Sequence, residues 1–231
     1  SLPQREGAMG RMASFLRRLE RRRLPVHVTP VTRSMIQTIS AKLPWPQGTV
    51  FRQLLHPRMT DKVLKLMGEK GQPFEPLLRN TANATVVRGG EQVNVVPSTV
   101  LVELDGRLLP GYAPEDLISE LRHNVGDEVE LEVIRHDPGP NEPDMTLFET
   151  LKGILRLADP DGEPIPILLP GATDARFFSK LGIQTYGYLP MKLPPEFQFS
   201  QLIHGPDERI PVDALTFGTE AIYQLMHRFW Q

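Results

Sequence analysis

The chain has 231 residues, a formal net charge of -2, a pI near 6.3 and no cysteine. This charge offers no general attraction to nucleic acid or to an anionic membrane surface. No apolar run approaches the ~20 residues that a membrane-spanning helix needs. Without cysteine, the remaining strong metal ligands are histidine, aspartate and glutamate. The absence of cysteine also fits a reducing compartment, so we expect a cytoplasmic protein. The length favours two domains.

The first predicted element is an amphipathic helix over residues 7–22, followed by Pro25. Apolar residues recur in it at helical spacing, and arginines cover the other face. These apolar residues are Met9, Met12, Leu16 and Leu19. The arginines could form a nucleic-acid patch or a solvated face, and the acidic composition favours the solvated face.

Residues 26–78 are interrupted repeatedly by proline. Short helical patterns occupy Thr32–Ala41 and Asp61–Met67. Proline breaks helices because it lacks an N–H and clashes with the preceding turn. We therefore predict a helical insertion of uncertain layout.

The next region alternates apolar and polar residues with a period of two, which indicates strands. Strands are predicted at Ala84–Arg88, Thr99–Leu108 and Glu128–Arg135, with a turn at Gly89-Gly90 and a helix over Pro114–Asn124. Helix, strand, strand, helix, strand is an open sheet with helices on one face. This part of the chain is predicted to be α+β.

Residues 137–144 contain proline and glycine at half of their positions and indicate a domain linker. Beyond it, helices alternate with short apolar strands, which is typical of an α/β sheet. The predicted helices are Met145–Ala158, Asp174–Leu181 and Pro211–Trp230, and the predicted strands are Ile165–Leu169 and Thr185–Leu189. We therefore divide the chain into domains at 1–140 and 141–231.

The segment from Leu168 to Arg176 runs from a predicted strand through Gly171 into a helix. Side chains at the carboxyl end of such a strand face the crevice where α/β sheets bind ligands. Asp174 or its neighbour Thr173 could equally serve as the cap of the helix. The guanidinium of Arg176 could bind a substrate carboxylate through two hydrogen bonds.

Three further residues are isolated candidates. His204 lies in a polar loop ahead of the last helix, where a lone histidine is more often a surface residue than a ligand. Asn94 and Arg107 are, taken alone, a turn residue and a strand residue suited to an ion pair. The other five histidines have no metal-type spacing, and a catalytic zinc needs about three protein ligands.

Four motifs occur in the order found in one family of enzymes. They are Gly89-Gly90 with Asn94-Val95-Val96-Pro97, Asp105-Gly106-Arg107-Leu108-Leu109-Pro110-Gly111, Gly171-Ala172-Thr173-Asp174-Ala175-Arg176, and His204-Gly205-Pro206-Asp207-Glu208-Arg209. The chain resembles, over nearly its whole length, the C-terminal part of metallopeptidases of the aminoacylase, carboxypeptidase G and succinyl-diaminopimelate desuccinylase family.

The resemblance implies a two-domain amidohydrolase that binds two zinc ions and carries an inserted lid of ferredoxin-like topology, through which it forms a homodimer. The reaction would be hydrolysis of an amide or peptide bond next to a free carboxylate. By position, His204 resembles a zinc ligand. Arg176, which follows the turn from Gly171 to Asp174, resembles the residue that binds the substrate carboxylate. Asn94 and Arg107 resemble catalytic lid residues that hold the substrate carboxylate and the oxyanion.

The sequence departs from the family pattern because it lacks most of the family's metal-ligand motifs and its general base. The family's His-x-Asp motif, bridging aspartate and Glu-Glu pair would lie upstream, and Ser1 resembles the last residue of the lid's Gly-His-Gly-Ser motif. Ala172 stands where the family usually has a second glycine. The favoured hypothesis is a fragment of a dinuclear zinc amidohydrolase, inactive alone and without stoichiometric zinc. The alternatives are a dimerisation or carboxylate-binding module without metal, and a structural remnant.

Overall fold

The structure is a computed structural model that describes residues 7–126, 128–139, 143–169, 171 and 173–229. Ser1, Ala172, Trp230 and the linker residues 140–142 lie outside the described residues. Helices dominate and the strand content is small. The helices are α1 (Ala8–Arg21), α2 (Pro30–Lys42), α3 (Gln47–Arg52), α4 (Pro57–Met67), α5 (Pro114–Val125), α6 (Phe148–Ala158), α7 (Ala175–Ser179), α8 (Phe199–Leu202) and α9 (Val212–Phe229). The strands are β1 (Thr81–Arg88) and β2 (Leu101–Arg107), and 3₁₀ segments occupy Gln53–Leu55 and Gly68–Leu77.

The proline-rich region between α1 and β1 forms the main hydrophobic core, whose layout the sequence left uncertain. Both predicted helices are present, as α2 and α4, and each begins with a proline in its first turn. The N–H of Thr32 donates to the hydroxyl of Thr29, which caps α2. The buried core residues are Met35, Ile36, Phe51, Leu54, Val63, Leu64, Leu77 and Leu78.

The strands β1 and β2 pair antiparallel. Thr81 lies opposite Arg107, and Arg88 lies opposite Leu101. The helix α5 packs on this sheet: a Cβ added to Gly106 would lie 2.7 Å from a methyl group of Leu117. The glycine in β2 therefore permits the close approach of α5, and the predicted strands and helix are confirmed here.

Three predicted strands do not form in the described residues: Glu128–Arg135, Ile165–Leu169 and Thr185–Leu189. A strand needs a neighbour for its backbone N–H and C=O groups, whatever its side-chain pattern. The described sheet contains β1 and β2 alone. Ile134 and Ile167 are 77% and 67% exposed, whereas Ile165 and Leu168 pack against the hydrophobic core without forming a strand.

The last helix, α9, contacts α6 through a stripe of small residues. Ala214, Gly218 and Ala221 are its buried positions, and a Cβ on Gly218 would lie 2.6 Å from the carbonyl oxygen of Pro190. The adjoining stripe, with Leu215, Ile222 and Phe229, is exposed. Among the described residues, no helix is long and apolar enough to cross a membrane.

Candidate functional site

The turn before α7 presents the residues that the sequence singled out for substrate binding. Gly171 is exposed in a bend, and a side chain in its place would meet no atom within 4 Å. The hydroxyl of Thr173 accepts a hydrogen bond of 3.3 Å from the N–H of Ala175. Asp174 makes no capping hydrogen bond. The capping role therefore belongs to Thr173, and the carboxylate of Asp174 remains exposed for another use.

The guanidinium of Arg176 stacks on the ring of Phe177, with 4.6 Å between the guanidinium carbon and the ring centre. Such a cation–π contact attracts the guanidinium to the face of the ring. Its Nη1 lies 4.0 Å from Oδ2 of Asp137, which is too long for a hydrogen bond. Its Nε is buried and has no hydrogen-bond partner among the described residues. Arg176 therefore makes no hydrogen bond to Asp137, and its side chain is 38% exposed, so a ligand can approach the guanidinium away from the buried Nε.

A cluster around Asp137 was missed by sequence reasoning. Nη2 of Arg135 lies 2.6 Å from Oδ2 of Asp137, and Nζ of Lys180 lies 3.4 Å from its Oδ1. With Arg176, three cations surround one carboxylate. Partial desolvation raises the pKa of Asp137, but hydrogen bonds from Arg135 and Lys180 outweigh it and lower the pKa overall. The sequence signal was the position of Asp137 at the start of the predicted linker.

His204 lies exposed in the loop between α8 and α9. It is the one non-glycine residue of the described chain with a positive φ, 60°. This left-handed conformation is uncommon for residues with a side chain and is concentrated at functional sites. The N–H of Gly205 donates to the carbonyl of Leu202 at 3.0 Å, which closes the turn around the histidine.

The two lid candidates lie on the β1–β2 hairpin. Asn94 is exposed in the connection between the strands, inside a turn in which the N–H of Val95 donates to the carbonyl of Gln92. Arg107 ends β2, and its Nε and Nη2 donate to Oδ2 of Asp105 at 3.1 and 3.0 Å. Arg107 is therefore paired with Asp105, whereas Arg176 lies near Asp137 without a hydrogen bond to it. A role for Asn94 and Arg107 beside Arg176 stays a prediction.

The described residues contain no group of three or more histidine, aspartate and glutamate side chains that could hold a metal ion. The residues described therefore do not by themselves form a zinc site, because His204 is the single proposed ligand among them and a catalytic zinc needs about three. A cavity of about 290 Å³ opens between α2 and α6. Its lining includes Val31, Phe148 and Lys152 but none of the candidate site residues.

Comparison with known proteins defines the class of the chain. The profile of Peptidase family M20/M25/M40 matches residues 17–228. The chain belongs to this family of peptidases and amidohydrolases. The expected resemblance is confirmed, although no solved structure matches significantly.

Among known proteins, the chain is similar to the human N-fatty-acyl-amino acid synthase/hydrolase PM20D1, with 26% identity over 98% of the chain and 45% of the relative. It is 24% identical to "Probable carboxypeptidase S-like 2" of Dictyostelium discoideum, over 92% of the chain and 40% of the relative. It is 27% identical to mouse Aminoacylase-1 over 61% of the chain and 34% of the relative. The chain spans under half the length of these relatives.

Proposed function

We propose that this chain is part of a zinc-dependent amidohydrolase that cleaves an amide or peptide bond next to a free carboxylate. Its substrates would be N-acyl amino acids or dipeptides. Membership of the M20/M25/M40 family supports hydrolysis, and relatives named as an N-fatty-acyl-amino acid hydrolase and an aminoacylase support this substrate class.

The observation that supports the proposal most directly is the surroundings of the Arg176 guanidinium. Its guanidinium carbon lies 4.6 Å from the ring centre of Phe177, its side chain is 38% exposed, and its Nη1 makes no hydrogen bond to Asp137. A planar guanidinium with available donors suits a carboxylate, which accepts two parallel hydrogen bonds from it. We assign the binding of the substrate carboxylate to Arg176, with Gly171 and Asp174 shaping the turn that presents it.

We assign a zinc ligand to His204, whose backbone is held in the left-handed conformation. Two zinc ions in the complete enzyme would supply an activated water for hydrolysis. The further ligands and the general base would come from outside the described residues. Asn94 and Arg107 would hold the carboxylate and the developing oxyanion from the lid, which would also form the homodimer.

The proposed domains are a lid of ferredoxin-like topology over 1–140, with the helical insertion at about 26–78, and part of the catalytic domain over 141–231. The β1–β2 pair with α5 on one face supports this lid. A cytoplasmic location stays a prediction from the absence of cysteine.

The test is a hydrolysis screen of the full-length protein against N-acyl amino acids, dipeptides and their carboxamide counterparts. We expect cleavage of the carboxylates and loss of activity in His204→Ala. His56→Ala, a change of another exposed histidine, is the control and should retain activity. Equal cleavage of carboxylates and carboxamides, or full activity of His204→Ala, would remove the assignment.

Two further measurements distinguish this proposal from the alternative hypothesis, a dimerisation or carboxylate-binding module without metal. The coding sequence upstream of Ser1 should encode His-x-Asp and Glu-Glu motifs, and their absence there would count against an enzyme. Elemental analysis of the 231-residue chain should find no stoichiometric zinc, whereas about two ions per chain, the number of a dinuclear site, would show that the ligands lie within it.

A further inference from the structure

Asp137 lies next to Arg176, the residue assigned above to the substrate carboxylate. Asp137 carries the same chemical group, and Arg135, Lys180 and Arg176 all face it, at 2.6, 3.4 and 4.0 Å. Because its pKa is lowered overall, after the opposing effect of desolvation, Asp137 is an anion at neutral pH. One internal anion therefore occupies the region in front of the cation assigned to the substrate.

Asp137 does not form hydrogen bonds with all of the cations around it. Arg176 approaches it without forming a hydrogen bond, and Nε of Arg176 has no partner in the described part of the chain. A guanidinium carries five N–H donors, and a carboxylate can accept two of them side by side. A second carboxylate at this place would thus gain hydrogen bonds that Asp137 does not make.

Lys180 extends the same site. It follows Arg176 by four residues, at the end of α7, so the two side chains lie on one side of the helix. Both reach the carboxylate of Asp137. A ligand that replaces Asp137 would face an ammonium as well as a guanidinium.

We propose that Asp137 is an internal competitor for the carboxylate site and that a substrate carboxylate displaces it from Arg176 and Lys180. The proposal rests on the proposed function, because that assigns Arg176 to the substrate. Exposed ion pairs are weak, so Asp137 can be displaced, and its competition should reduce affinity only several-fold. Asp137 would then keep the two cations in place until substrate arrives.

The test is an NMR titration of the 231-residue chain with N-acetylglycine, following the Nε–H signal of Arg176. Arg176→Lys identifies this signal by removing it. Asp137→Asn should lower the dissociation constant for N-acetylglycine about three- to tenfold, as expected for loss of a weak competitor. Asp137→Ala is a second variant, because asparagine retains a hydrogen-bond acceptor for Arg135. N-acetylglycinamide, which lacks the carboxylate, should not bind.

Asp159→Asn is the matched control. Oδ1 of Asp159 lies 2.9 Å from Nζ of Lys192, so this ion pair does not involve Arg176. It should leave the dissociation constant unchanged. Dissociation constants within twofold of the parent chain in both Asp137 variants would overturn the proposal, as would no binding by any of the proteins. The titration requires no turnover, so a hydrolysis screen without activity would remove the proposed function and leave this result standing.

Discussion

Nε2 of His27 lies 2.6 Å from Oε1 of Glu120, which joins the segment after α1 to α5. The same carboxylate oxygen accepts a hydrogen bond of 3.1 Å from the side-chain amide of Asn80, just before β1. Asn80 is fully buried, and its own amide oxygen accepts from the N–H of Leu109 at 2.9 Å. Asn80 thus connects the helical core, the sheet and α5 through one buried side chain.

Replacement of Asn80 by alanine should lower the free energy of unfolding by about 2–4 kcal/mol. The change leaves the buried N–H of Leu109 without its partner, which costs roughly 1–3 kcal/mol. It also removes one hydrogen bond, worth about 1 kcal/mol, from Oε1 of Glu120, which keeps its contact with His27. Urea unfolding followed by circular dichroism measures the loss. Asn83→Ala, at an exposed position of β1, is the control and should change stability by less than about 0.5 kcal/mol. Equal effects of the two variants would contradict the role of Asn80.

Replacement of Leu54 by alanine should destabilise the chain by about 2–5 kcal/mol, because it opens a cavity in the core. Leu54 is completely buried among the helices of residues 26–78. Leu66→Ala removes the same atoms from a residue that is 75% exposed and should cost less than about 0.5 kcal/mol. Thermal unfolding of both variants tests whether the proline-rich region carries the main core. A small effect of Leu54→Ala would show that it does not.

Asp61 should make stability depend on pH. Burial raises its pKa, but hydrogen bonds from Arg79 and Arg23 outweigh this and lower the pKa below 3.8. A lowered folded-state pKa contributes stability that is present above the ordinary value and is lost as the pH falls through the folded value. Asp61→Asn should therefore cost up to about 1 kcal/mol at pH 7, since the carboxylate is half exposed.

This difference between Asp61→Asn and the parent chain should shrink as the pH falls from about 4 toward 2, where Asp61 becomes neutral in both states. Urea midpoints at several pH values measure it. Glu91→Gln, which removes an exposed carboxylate between the strands, should give no such dependence. A difference that stays constant with pH would exclude the ion pair as its cause.

Arg176→Lys in the full-length enzyme should lower kcat/KM for carboxylate substrates by about 10- to 100-fold, mainly through KM. Lysine keeps the charge but cannot form the two parallel hydrogen bonds of a guanidinium. Steady-state kinetics with N-acyl amino acids measures the change. Arg156→Lys, at an exposed residue of α6 that pairs with Glu163, should leave the kinetics unchanged. An effect on kcat alone would assign Arg176 to another step.

The sequence predicted the elements whose signals are local. Apolar residues at helical spacing placed α1 and α5, and alternation placed β1 and β2. The helical patterns at Thr32–Ala41 and Asp61–Met67 located α2 and α4, which begin earlier, at Pro30 and Pro57. The family assignment also followed from short motifs, because their residues and order are read directly from the chain. The same alternation failed at Glu128–Arg135, since it says which side of a strand is apolar but not whether a neighbouring strand is there to pair with.

Tertiary structure decided which distant residues meet. Asp137 and Arg176 are separated by a predicted linker and a helix, and no local pattern relates a carboxylate to a cation so far along the chain. The burial of Asn80 and its link to Glu120 likewise depend on how β1 and α5 pack. The sequence by itself determined the family, most helices and the candidate residues, because these depend on local spacing. Packing alone decided the main core and the surroundings of Arg176, because those depend on contacts between separate elements.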